Sequence, residues 1–98
     1  MEEEKKFDIE IRPEVATGIY SNLAIITHSS NEFILDFVQM MPGLPKPTVK
    51  SRVLMTPENT KRLLRALMDN LQKYESQFGE VKLRDNQTMR PMGFGGEA

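Results

Sequence analysis

The sequence predicts an α+β domain of four antiparallel strands followed by one long C-terminal helix. Three observations carry this: a period-two alternation over residues 7–12, two apolar, β-rich runs flanking a polar turn, and a sharp strand-to-helix junction at Val53-Leu54-Met55-Thr56-Pro57-Glu58-Asn59. At that junction Thr56 can accept from a first-turn N–H, Pro57 has φ pre-set with no donor to lose, and Glu58 faces the positive end of the helix macrodipole.

Phe7-Asp8-Ile9-Glu10-Ile11-Arg12 alternates apolar and charged side chains, the pattern of a half-buried edge strand, and Pro13 ends it. After a loop containing Gly18, the runs 19–27 and 33–40 flank the turn Ser29-Ser30-Asn31-Glu32 and predict a central hairpin. Met41-Pro42-Gly43-Leu44-Pro45-Lys46-Pro47 is too rich in proline to pair as a central strand and predicts a stiff, exposed connection. Residues 48–55 form the fourth predicted strand, with Val49, Ser51, Val53 and Met55 on one face and Lys50, Arg52 and Leu54 on the other. From Pro57 to Phe78 the chain reads helical, about 33 Å at 1.5 Å per residue, with Gly79 placed to end it. The charged lead 1–6 and the glycine-rich tail 80–98 are expected to lack fixed structure, leaving one domain over 7–79.

Assembly follows from patterning. In the first run of the hairpin Leu23 and Ile25 face one way and Ala24 and Ile26 the other, and in the second Phe33, Leu35 and Phe37 face opposite to Ile34 and Val38, so both faces are apolar. One helix covers one face. A second layer is therefore expected from a second copy, and a homodimer is predicted. Along the helix Leu64, Leu67, Leu71, Tyr74 and Phe78 recur at spacings of three and four, a seam with Leu63 broadening it toward the sheet. The expected arrangement is a helix packed on its own sheet whose last turns reach the other subunit, and these five residues are the predicted dimer contacts.

The residue inventory excludes several chemistries. With no cysteine there is no disulfide, thiolate cluster or cysteine nucleophile, and a reducing, cytoplasmic setting is expected. His28 is the single histidine and sits at a strand end, so neither a metal site nor a cofactor is predicted. Asp36 is expected to face a basic neighbour such as Arg52 rather than act as a catalytic acid. No nucleophile–base pair is readable, so an enzyme is not expected. No apolar run is long enough for a membrane span, and no export signal is expected at the charged N-terminus. Residues 46–73 carry seven basic and two acidic side chains, whereas 13–45 carry three acidic and no basic ones, within a net charge of −1. The alternative to a homodimeric, non-enzymatic interaction or scaffold module is accordingly a binder of single-stranded nucleic acid that uses Lys50, Arg52, Lys61, Arg62 and Arg65 for phosphates.

The stretch running from Tyr20-Ser21-Asn22-Leu23 through Glu32-Phe33-Ile34-Leu35-Asp36-Phe37 and Arg52-Val53-Leu54-Met55-Thr56-Pro57-Glu58 to Tyr74-Glu75-Ser76-Gln77-Phe78-Gly79 resembles a family of small bacterial and archaeal proteins catalogued as a domain of unknown function, DUF3467. The resemblance implies no activity. Four strands closing on Leu54-Met55-Thr56-Pro57-Glu58 and a helix are also similar to the single-stranded-DNA-binding transcriptional coactivator family, which implies a dimer that joins sheets and helices. The basic stretch which that family carries in its hairpin is absent from the Ser29-Ser30-Asn31-Glu32 turn.

Overall fold

The computed structural model describes residues 8–43 and 45–84. In chain order these form a one-turn helix α1 (Pro13–Ala16), strands β1 (Leu23–His28), β2 (Phe33–Gln39) and β3 (Thr48–Met55), and helix α2 (Pro57–Phe78). The strands make one antiparallel sheet in the order β1-β2-β3. The α+β class holds, with three strands rather than four.

The missing strand is the first. Residues 8–12 pair with nothing in the sheet, and Ile9 and Ile11 stand 85% and 65% exposed. Alternation makes a segment compatible with an edge, but a strand forms only where an edge receives it. Here Pro13 opens α1 instead, with Arg12 extended at φ −76° and its carbonyl accepting from the Val15 and Ala16 N–H groups. Phe7, the expected loose lead 1–6 and the tail from 85 onward lie outside the described residues, while 80–84 are exposed and in neither helix nor strand.

The hairpin begins later than its apolar run. Gly18 turns the chain at φ 83°, and the side chains of Ser21 and Asn22 occupy backbone groups that a longer strand would use. Ser21 Oγ donates to the Leu23 and Val38 carbonyls at 3.1 Å, and the Asn22 amide bonds both the carbonyl and the N–H of Met40, at 3.0 and 2.9 Å. At the other end the predicted four-residue turn forms. Ser29 N–H donates to the Glu32 carbonyl, and Ser29 Oγ accepts from Asn31 and Glu32.

The β2–β3 register contains an irregularity that alternation cannot show. Phe37 opposes Ser51 but Val38 opposes Val49, so Lys50 is the extra residue of a bulge. Val49 consequently lies on the face of Arg52 and Leu54, not with Ser51, Val53 and Met55. The core sits on the central strand. Among the described residues Leu35 and Val38 are the buried apolar ones, 5% and 3% exposed on opposite faces, with Asp36 between them at 0%.

The junction behaves as its residues dictate. Thr56 is extended at φ −70°, its hydroxyl accepts from the Asn59 N–H at 3.1 Å, and Pro57 takes the first helical position. At the far end Gly79 adopts φ 102° and donates to the Glu75 carbonyl, while the Glu75 carboxylate accepts from the Val81 N–H. Two exposed i,i+4 pairs, Glu58–Arg62 at 2.7 Å and the predicted Asp69–Lys73 at 3.1 Å, contribute a few tenths of a kcal/mol each, about 0.3–0.5.

Candidate interaction surface

The polar centre of the described residues is the Asp36–Arg52 ion pair. Asp36 and Arg52 oppose one another across β2 and β3, and the guanidinium meets the carboxylate with two hydrogen bonds, Nε to Oδ1 at 2.7 Å and Nη2 to Oδ2 at 3.0 Å. Asp36 is fully buried while the Arg52 side chain stays 54% exposed, so the arginine roofs the carboxylate. The hydrogen bonding and the negative charge of Asp36 raise the pKa of Arg52, with desolvation opposing them. Geometry of this kind fixes strand register; it supplies no reactive group. His28, read as a structural residue, stacks on its cross-strand neighbour Phe33 with ring centroids 5.2 Å apart. Among the described residues no three His, Asp or Glu side chains come together as metal ligands, and no helix is long and apolar enough to cross a membrane.

The five basic residues are distributed over β3 and the first turns of α2. Arg52 belongs to the sheet face that carries Asp36, Leu23 and Ile25, whereas Lys61 lines a cleft on the opposite face with Ile26, Phe33 and Leu35. Lys50 occupies the bulge. Arg62 is engaged with Glu58 and Asn59 on the exposed side of α2, where Arg65 is also exposed.

The apolar seam is where the molecule is least complete. Helix α2 starts beside the end of β3 and leans over the Phe33–Leu35 face, so that Leu63, Leu64 and Leu67 border the cleft whose sheet wall is Ile26, Phe33 and Leu35. Helix and sheet meet at this one end. No residue of α2 is buried. The groove that continues along it is lined by helix residues alone, among them Leu67, Met68, Leu71 and Tyr74. The expected helix packed on its own sheet is not formed: the first turns of α2 only border an open cleft against Ile26, Phe33 and Leu35, and no residue of the helix is buried. Leu64, Leu67, Leu71, Tyr74 and Phe78, all assigned to contacts between copies, stand between 50% and 65% exposed, together with Met68 at 60% and Ile26 at 53%. Tyr74 and Phe78 pack on each other at 5.0 Å between centroids and so present one aromatic surface. Met68 and Ile26 join the five predicted contacts in this apolar surface: Met68 lies four residues beyond Leu64, and Ile26 stands in the sheet wall of the cleft under α2.

A family profile described as protein of unknown function (DUF3467) matches residues 1–83. The chain belongs to this family. The match takes in the sheet, the cap and the whole of α2 and ends five residues beyond Phe78. No curated protein and no solved structure matches the chain. Membership in DUF3467 therefore brings no activity with it, and the functional reading rests on the surface just described.

Proposed function

We propose that this chain is a non-enzymatic interaction module that works as a homodimer, with α2 as its contact element. The observation that carries the reading is a 22-residue helix with a one-sided apolar stripe and no buried residue. A free helix of this kind draws its stability from packing the stripe, not from propensity. Ile26, Leu64, Leu67, Met68, Leu71, Tyr74 and Phe78 are each half to two-thirds exposed. At roughly 200 Å² for a fully exposed large side chain they present on the order of 800 Å², the area each partner contributes to a standard interface. Patches of this size on soluble proteins mark places where something docks.

The chemistry of the remaining surface is consistent with binding rather than turnover. The buried carboxylate is neutralised by a bidentate arginine, and the lone histidine lies on a phenylalanine. The test is sedimentation velocity or light scattering over a dilution series. A dimer that dissociates on dilution is expected, and a compact monomer at every concentration would refute the reading.

A further inference from the structure

We propose that two copies join along β1, strand β1 of one pairing antiparallel with β1 of the other, to make a continuous six-stranded sheet over which each α2 crosses from its own half to the partner's. This rests on the homodimer of the preceding section and specifies its geometry. The first argument is the path of α2. Within its first three turns the helix shares one cleft with Phe33 and Leu35 on β2 and Ile26 on β1, a set that extends from the end of β3 as far as the β1 edge. Residues 68–78 then continue for about 16 Å at 1.5 Å per residue with no sheet residue beside them. At about 4.8 Å between strands, that overhang is on the order of three strands wide. Three is the number that a second copy would place there.

The second argument is the contrast between the two edges. The β3 edge carries the protections that keep strands from pairing further: Pro47 just before it, Lys50 in a bulge, and Arg52. Leu23-Ala24-Ile25-Ile26-Thr27-His28 has no proline, glycine, bulge, lysine or carboxylate, and among the described residues nothing pairs with its outer side. Ile26 belongs both to this edge and to the cleft under α2, so edge pairing and helix docking form one continuous contact. A two-fold axis normal to the sheet leaves both helices on the same face. Met68, Leu71, Tyr74 and Phe78 of each copy then lie on the Ala24–Ile26 face of the other.

The symmetry makes the test sharp, because one residue of β1 must oppose its own counterpart on the axis. Its two Cα atoms lie about 5 Å apart, within disulfide reach, whereas one position along the separation is already about 8 Å, beyond the limit of roughly 7 Å. The chain has no cysteine of its own. Ala24→Cys, Ile25→Cys, Ile26→Cys and Thr27→Cys are made singly in the full chain, with Lys50→Cys on the other edge as control, and oxidised mildly after light scattering has fixed the mass. Ala24 and Ile26 are exposed in the single chain, so two of the four substitutions leave the fold undisturbed. The expected result is a dimer whose covalent cross-link is strong at one β1 position and weak at its neighbours and at Lys50→Cys. A dimer with no β1 cross-link, or one that cross-links through Lys50→Cys, overturns the edge assignment and leaves the homodimer standing. A monomer overturns both.

Discussion

Leu71→Ala separates a residue of the contact from a residue of the core. Leu71 is 50% exposed in the single chain and lies mid-way along the α2 stripe. Burying a whole leucine side chain is worth about 1.5–3 kcal/mol, so the half still facing water has about 1 kcal/mol left to gain in each copy, or about 2 kcal/mol for a symmetric pair. Removing it raises the dimer dissociation constant about 30-fold. Alanine is at least as good a helix former as leucine, so α2 itself keeps its helicity and the loss reads out assembly alone. The assay is sedimentation across a concentration series for wild type and variant, with thermal denaturation by circular dichroism at a concentration where both are dissociated. The two should then unfold within about 0.5 kcal/mol of one another, as surface variants do. A loss of 2–5 kcal/mol in the dissociated state is the signature of a packed core leucine and would refute the placement. An unchanged dissociation constant would refute it from the other side.

Two further substitutions address the scaffold. Arg52→Met leaves the fully buried Asp36 carboxylate without its guanidinium and should lower the thermal midpoint, whereas Asp36→Leu combined with Arg52→Met should recover most of that loss; a double variant as unstable as the single one would show that the pair is not what penalises burial at Asp36. Thr56→Ala removes the hydroxyl that accepts from the Asn59 N–H and should cost about 1 kcal/mol, read as a fall of about 4–8 °C in Tm, and an unchanged midpoint would mean that solvent caps α2 equally well.

What was legible in the sequence was legible because local chemistry decided it. The bounds of β3 and α2, the Thr56 cap, the Pro57 start and the Gly79 end depend on residues within one turn of each other, and each appears as read. The Asp36–Arg52 pair was accessible for a related reason: a lone carboxylate between two apolar residues needs a cation across the sheet, and Arg52 was the candidate. The misses are all non-local. Residues 8–12 have the alternation of a strand but no edge within the described chain, and periodicity cannot report whether a partner exists. The Lys50 bulge turns Val49 to the other face without a glycine or proline to announce it. Which face each basic residue takes is non-local too: the turn at Thr56 brings Lys61 to the face opposite Arg52.

The central strand shows why folding and assembly are one problem for this chain. Its buried residues are two aliphatic side chains and one carboxylate, so the described part of the subunit has little apolar burial to set against the conformational entropy of ordering some 70 residues, at about 1–2 kcal/mol each for the backbone alone. The ion pair does not close that gap, since a buried charge pair gives register more readily than net stability. Apolar surface is not scarce: among the described residues it is displaced onto α2 and Ile26, where the sheet does not enclose it. A second copy placed against β1 would convert that surface into core without any change in either subunit's secondary structure. On this account the six-residue unprotected edge and the eleven-residue overhang of α2 are matched parts of one interface. Either one alone would be a liability for aggregation.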